Sequence, residues 1–559
     1  MQVKFPVTTT IILWVGLLLP SQGWAQDSQA LSQGDLVIPE SYITRMRQEG
    51  PVLEITLKEA VRLALVNNLE IAIENYNEDL NREQIIKTRG FYDPTYSMSV
   101  GWTSSKSPTT SSLQAGGAIT VNNTDRFSFD HQLLQNVAGG GILDITFTNS
   151  RNDTNSRFSF INPRFNSTFN VAFTQPLWRG FRETNTERQI ELYNLDSDIN
   201  ETQFEQRVSE IVQQVQNQYW ELVYAVEANE TQRQSVQLAA IQHENNRKRV
   251  EIGVMAPIEI TSSRAEIARR EQEMIQSEVQ IITAQNALKR LLASDPGAGI
   301  WNVVLIPTDV PQIEDVQFSL EESIRTALGR RPELEQIQLQ MEQNEVDRSY
   351  YKKDGKPSVN LRGNFGSNSA TGQVFETVLI DTDGDGIPDS SGGRAPNLDD
   401  PRFGNFSKTW KQVFSFDFIN WGVFLDLQIP LRNRSNEADL ATVLIRERQL
   451  LSTLKNQEQM IIVEVRNAYE SLATRKKSLE AANVASYLSR EQLEGETKRF
   501  EAGLSTNFEV LRLQRDLAQS QVSELRALVD YQLAVTALQK ALFNIVEESD
   551  IVLAKGSEN

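Results

Sequence analysis

The chain has no cysteine and only two histidines, His131 and His243, in different regions. The first absence excludes disulfides, thiolate metal sites, cysteine nucleophiles and lipid attachment through a cysteine. The second leaves no cluster from which a His-rich metal site or a general-base network could be built. Basic charge is also short. Against 74 Asp and Glu stand 55 Lys and Arg, a formal charge of −19, which disfavours nucleic acid as a partner because phosphate neutralisation needs basic patches. Past the first residues, no stretch reaches the roughly 18 uninterrupted apolar residues that a membrane helix needs. There is no phosphate loop and no nucleophile elbow. These absences argue against most enzyme classes before any motif is considered.

What is present begins with an export signal. Lys4 gives a thin positive start, Ile11 to Leu19 an apolar core, and Gly23-Trp24-Ala25 small residues suited to cleavage. The apolar run is too short to span a bilayer. Residues 1–25 therefore read as a signal peptide, with an uncleaved anchor as the alternative, and 26–50 as an N-terminal extension.

The most informative feature is an internal duplication. Thr56-Leu57-Lys58-Glu59-Ala60 recurs as Ser319-Leu320-Glu321-Glu322-Ser323, and Pro94 and Pro357 keep the same offset of 263 (319 − 56). Pro176-Leu177 pairs with Pro430-Leu431. Farther on, Val215, Tyr219, Leu222, Gly253 and Leu288 pair with Val465, Tyr469, Leu472, Gly503 and Leu538, at a constant offset of 250 (503 − 253). Coiled helices impose such constancy, because an insertion would break register. The first repeat is expected over 51–293, a linker with Pro296, Pro307 and Pro311 over 294–318, the second repeat over 319–546, and a tail over 547–559.

Each half shows the same order of helix, strand, loop, strand, long helix, turn and shorter helix. Residues 56–89 and 319–353 read as helices, with Thr56 and Ser319 as N-caps and a carboxylate three positions on in each case, as a capping box needs. Apolar residues at 204, 208, 211, 215, 219, 222 and 226 mark one continuous helical seam. As helices, Glu183 to Ile252 would span roughly 105 Å and Glu437 to Ala502 roughly 100 Å. Pro257 to Leu292 and 56–89 would each span roughly half of that. Each half then consists of one unbroken column beside one broken column.

Between the helices the period changes to two. Tyr96, Met98, Val100 and Trp102 alternate with small or polar residues, as do Phe169, Val171 and Phe173, then Val359, Leu361 and Phe365, then Val423, Leu425, Leu427 and Ile429. Such strands have one apolar and one polar face. In a membrane barrel these would meet lipid and lumen; a soluble sandwich is the alternative. Four strands cannot close, and an open edge cannot sit in lipid. Two chains would give eight strands, whose interior side chains largely fill, whereas three give twelve and a lumen. Loop 103–167, with β-like stretches joined through Gly139-Gly140-Gly141, is expected as an extracellular hairpin, with additional barrel strands as the alternative. Loop 366–412 is expected on the same side. It carries Asp381, Asp383, Asp385 and Asp389 around Gly384 and Gly386. Alternating carboxylates with a glycine at the sixth position resemble calcium loops, but Gly392 stands where an EF-hand has its glutamate. Weak Ca2+ binding and a merely solvated acidic turn are both open, and no cofactor is otherwise required.

After residue 50 the chain resembles the TolC family of outer-membrane efflux proteins. The resemblance rests on the duplicated plan, on Gln175-Pro176-Leu177 with Gly180, and on the turns Arg249-Val250-Glu251-Ile252-Gly253-Val254 and Arg499-Phe500-Glu501-Ala502-Gly503-Leu504. It implies a mixed α/β membrane protein: a trimeric twelve-stranded β-barrel, four strands per chain, continuous with a long periplasmic α-helical coiled-coil barrel. It also implies a passive duct for efflux or type I secretion in the outer membrane. Such a duct is served by a periplasmic adaptor and by an inner-membrane pump of the resistance-nodulation-division, ABC or major facilitator type. The rival from another class is a soluble periplasmic coiled-coil adaptor or scaffold, which leaves the alternating strands unexplained.

The inner end of the tunnel would lie at the two glycine turns. Gly253 and Gly503 fit a helix–helix turn that needs positive φ. The resemblance adds adaptor docking at Arg249, Gly253, Val254, Arg499, Gly503 and Leu504; separately, Arg249 and Arg499 are expected to hold the closed tip through ion pairs. Nine residues before each glycine stand Glu244 and Glu494. On three chains they would supply six carboxylates at one level, an anionic constriction if they face inward. Ordinary glutamates on a solvated helix face are the alternative.

Overall fold

In the computed structural model the described residues are 40–108, 121–156, 159–311, 319–381, 387 and 390–549. The export signal and most of the extension lie outside them. Among the described residues no helix is long and apolar enough to cross a membrane.

Helix α1 (Glu40–Glu49) and strand β1 (Val52–Ile55) lead into α2 (Leu57–Asn67) and α3 (Leu69–Arg89). Thr56 closes the expected capping box with Glu59. The single helix expected over 56–89 is in fact two, because Asn68 leaves helical geometry. Its Oδ1 accepts from Glu70 N (2.8 Å) and its Nδ2 donates to Leu291 O (3.1 Å). The second half breaks at the same place by another means: α6 (Leu320–Arg330) stops and α7 (Pro332–Asp354) restarts with Pro332 at its first turn. Ser319 is the N-cap there but makes no side-chain capping bond, so that expected box is absent.

The long helices are α4 (Asn185–Glu251) and α9 (Arg434–Glu501), of 67 and 68 residues, about 100 Å each. Each turns back into a 35-residue partner, α5 (Ile258–Leu292) and α10 (Asn507–Ala541). Helix α4 packs against α5, α3, α7 and α10, and α9 against α10, α7 and α6. Each unbroken column thus lies beside a broken one. Midway along, β1 pairs in parallel with β6 (Val304–Pro307) from the linker. Tyr219 of α4 locks this equator: its buried hydroxyl donates toward Ile55 O (3.1 Å) and Asp309 Oδ2 (3.0 Å), and accepts from Thr308 N and Asp309 N. Ile55, Ile211, Leu222, Leu288, Leu305 and Ile306 fill the core around it. Helix α11 (Ile545–Glu548) ends the described fold.

At the other end stands an antiparallel sheet that corrects the expected four strands per chain. Strands β2 (Thr95–Pro108), β3 (Val121–Val137), β4 (Gly141–Thr154), β5 (Ile161–Pro176), β7 (Ser358–Ile380) and β9 (Ile419–Gln428) follow one another in that spatial order. A short β8 (Ser390–Pro396) pairs with the distal part of β7. The expected strands are β2, β5, β7 and β9. Strands β3 and β4, placed at first in an extracellular loop, are paired along nearly their whole lengths to β2 and β5. Their turn lies at the helical end of the sheet, not outside. Gly139 N donates to Glu187 Oε1 (2.8 Å) in the first turn of α4, and Gln175 Nε2 donates to Gly139 O (3.0 Å). At Gly140, φ is +86° and an added Cβ would meet Gly180 O at 2.3 Å. Only glycine allows that approach.

The expected loop 366–412 also differs. Strand β7 runs on to Ile380, and α8 (Phe406–Phe414) lies back across the sheet. Among the described residues β2 and β9 have one neighbour each, so the sheet is open at both edges.

Candidate functional site: sheet faces and helical tips

Residues opposite each other in an antiparallel pair share a face, so the register sorts the sheet into two surfaces. Met98, His131, Phe147, Phe169, Ser367 and Ile419 form one row; Val100, Phe129, Asn149 and Ser167 lie in the next. This face is rich in aromatic and aliphatic groups, and many lie open: Met98, Trp102, Trp421, Val423 and Leu425 are all more than half exposed. The reverse face carries Ser97, Ser99, Asp130, Gln132, Thr146, Thr148, Asn170 and Asn364. An apolar face suits lipid and a hydroxyl- and amide-lined face suits water.

At the far end each hairpin closes through a glycine of positive φ, +78° at Gly253 and +73° at Gly503. The two turns share one bonding pattern: Val254 N donates to Arg249 O (3.0 Å) and Leu504 N to Arg499 O (2.8 Å). This 6→1 closure satisfies carbonyls at the helix end. Around it Ile252, Val254, Leu504 and Phe508 stand out as apolar groups about 70% exposed.

The arginines behave differently from the expected bracing ion pairs. Arg249 stacks over the ring of Phe500 at 4.3 Å, joining the two hairpins, while Arg499 pairs with Glu496 (3.2 Å) on its own helix. Glu244 pairs with Arg247 (2.7 Å) and Lys248 (3.8 Å), and Glu494 with Lys498 (2.6 Å). The hydrogen bond from Arg247 lowers the pKa of Glu244, and that from Lys498 lowers the pKa of Glu494. Each carboxylate is engaged by a cation on its own helix. Asp381 is exposed just past β7, whereas Asp383, Asp385 and Asp389 lie outside the described residues.

Sequence reasoning missed the polar lock between the hairpins. Asn507, buried at the start of α10, accepts from Gln242 Nε2 (3.0 Å) and Asn246 Nδ2 (2.8 Å) and donates to Glu259 Oε2 (2.9 Å). Nearer the equator, the buried guanidinium of Arg270 reaches Glu266 Oε1 (3.1 Å), Ser235 O (2.9 Å) and Leu511 O (3.1 Å). Polar residues at seam positions were the available signal, since a buried amide in a coiled coil specifies pairing at a cost in stability.

An open sheet with one lipid-compatible face, continuous with helices about 100 Å long, is an architecture suited to a membrane channel protein. Over residues 142–294 and 323–542 the chain matches the outer membrane efflux protein family, and it belongs to that family. That family is one of outer-membrane channel proteins of efflux systems, which are not enzymes. The fold is similar to that of CusC, described with transmembrane channel formation, with a TM-score of 0.61 at 14% identity over 89% of this chain and 94% of the other. The Campylobacter jejuni CmeC outer membrane channel gives 0.58 at 13% identity over 96% and 97%. The open state of the Neisseria gonorrhoeae MtrE outer membrane channel gives 0.54 at 15% identity over 87% and 88%. At such identities these likenesses concern the fold alone. No curated protein sequence matches significantly.

Proposed function

We propose that three copies of the chain join edge to edge into one passive duct. The free edge of β2 on one subunit pairs with the free edge of β9 on the next, and the helical hairpins extend the barrel into a periplasmic tunnel. The carrying observation is the open sheet: among the described residues the outer edges of β2 and β9 have no strand partner, and in lipid they must find one. The family points to three copies, and to energy supplied from outside the duct by an inner-membrane pump coupled through a periplasmic adaptor. Membership in an outer-membrane family sets aside the soluble adaptor reading. Exposed Ile252, Val254, Leu504 and Phe508 offer the apolar surface on which an adaptor would dock at the tips. Glu244 and Glu494 would set the charge at the tunnel entrance, moderated by Arg247, Lys248 and Lys498.

The test is reconstitution of the purified full-length protein in planar bilayers. Discrete conductance steps from an oligomer extractable only with detergent are expected. A freely water-soluble monomer without channel activity would defeat the duct. With Glu244→Gln and Glu494→Gln together, cation preference should fall while the open conductance stays; an unmoved preference removes these glutamates from the entrance.

A further inference from the structure

Helix α8 lies on the apolar face of the sheet, the side that the proposed duct turns toward lipid. Phe406 packs on Phe165 and Phe129 (ring centroids 4.8 and 5.2 Å), and Phe414 on Phe147 and Phe169 (5.6 and 6.0 Å). Beneath it the sheet changes character. Asn149, Ser167, Ser369 and Thr371 occupy apolar-face positions and are buried. The helix satisfies several of them: Trp410 Nε1 donates to Asn149 Oδ1 (2.8 Å), Ser369 Oγ to Gln412 Oε1 (2.6 Å), and the hydroxyls of Thr371 and Thr409 meet at 2.5 Å. Left bare, these groups would face acyl chains unpaired, which is costly. The helix and its polar seat are therefore one built feature.

The opposite face of the helix carries the exposed Lys411, Ser407 and Ser415 and the half-buried Lys408, whose Nζ donates to Phe403 O (2.8 Å) and which lies near Asp400; residues 406–416 themselves hold no acidic side chain in a chain of net charge −19. Trp410, Phe414 and Phe416 flank it, partly exposed. The seat on β5, from Phe169 to Phe165, lies roughly 18–28 Å above the base of the sheet at about 3.3 Å per residue and a tilt of about 40°. An apolar band is about 25 Å tall. Lysines are too costly to hold in hydrocarbon, yet the aromatic flank is too apolar for open water. Headgroup depth satisfies both.

We propose that α8 is an interfacial anchor at the outer-leaflet boundary, where Lys408 and Lys411 engage the phosphate-bearing headgroups of anionic lipid. This rests on the reading of the sheet as a membrane wall. The absence of cysteine allows a single nitroxide label to be placed at Ser407→Cys, and at Val100→Cys as a reference on the apolar face. Both go into full-length protein in phosphatidylglycerol nanodiscs, with collision by oxygen and by a water-soluble nickel chelate as the readout. The Val100 label should collide with oxygen and be shielded from nickel; the Ser407 label should read headgroup depth. A Ser407 label as open to nickel as free solvent overturns the anchor alone, whereas a nickel-exposed Val100 label overturns the membrane wall beneath it. Separately, anionic lipid should raise the dissociation temperature of the native oligomer relative to phosphatidylcholine, and Lys408→Gln with Lys411→Gln should abolish that difference. An equal difference in the variant overturns the lysine–phosphate contact.

Discussion

Glu227 is buried on α4, and among the described residues one of its carboxylate oxygens has no hydrogen-bond partner. Burial, then the charge of Glu230, pushes its pKa from 4.5 up to about 7. The folded state thus holds this proton to higher pH than the unfolded chain does. Its contribution to stability is complete below about pH 4.5 and is lost as pH rises through about 7. Glu227→Gln should flatten that dependence and stabilise the protein at pH 8 by at most about 3 kcal/mol, read from thermal unfolding at pH 5 and pH 8. The tip glycines make a second residue-scale case. A Cβ added at Gly253 or Gly503 meets nothing within 4 Å, so Gly→Ala there should cost only backbone strain, about 1 kcal/mol each. A much larger loss of thermal stability would indicate contacts beyond the turn itself. These glycines were legible in the sequence because they recur at matched positions between two helical runs. Glu227 was not, because a carboxylate on a seam is indistinguishable in sequence from a solvated one until the neighbouring helices cover it.

Among the elements, the helices were the most legible. Their seam and matched lengths placed α4, α5 and α9 to within a few residues, since local hydrogen bonding sets the 3.6-residue period. The break at Asn68 escaped because its bond to Leu291 O comes from a distant element. The sheet was half legible. Alternation identified β2, β5, β7 and β9, but β3 and β4 were split by Gly139-Gly140-Gly141 and read as a loop hairpin. Their side of the sheet depends on the docking of that turn against Glu187 and Gly180. Gly140→Val should prevent this docking and lower the yield of assembled, heat-resistant oligomer, with the helical circular dichroism retained. The helical lock makes a contrasting prediction. Asn507→Ala strands the Nδ2 of Asn246 and the carboxylate of Glu259 and leaves Gln242 Nε2 only its bond to Asn246 Oδ1 (3.1 Å). Losing such buried partners costs about 1–3 kcal/mol. Separation of the hairpins at the tip should then appear as a larger open probability in planar bilayers; unchanged gating would limit Asn507 to local packing.

At the scale of the whole molecule, six strands in place of four would change how the proposed barrel and tunnel meet. Strands about 4.8 Å apart and tilted about 40° take up roughly 6 Å of circumference each, so six span an arc of roughly 37 Å. Four packed helices at 8–10 Å spacing span about 32–40 Å. The sheet of one chain therefore subtends about the same arc as its helices, where four strands would give roughly 25 Å. Three copies would form an eighteen-stranded barrel about as wide as the tunnel beneath it. Single cysteines on the two edges, Ser99→Cys on β2 and Gly422→Cys on β9, should be joined between subunits by a short bismaleimide. When both are present in one chain, covalent trimers should accumulate as the end point. A ladder that continues past three, or stops at two, would require a different closure.

The sequence by itself determined the helical columns, the repeated order of elements, the turn positions and the two-faced character of the strands. Each of these is written in a local period or a constant spacing that backbone geometry enforces within a few residues. Tertiary structure alone decided that β3 and β4 enter the sheet, that α8 lies on its apolar face, that Arg249 stacks across to Phe500, and that Asn507 ties the hairpins together. Those outcomes depend on which distant surfaces meet. A buried polar atom or a docked helix gains its partner only when another part of the chain arrives.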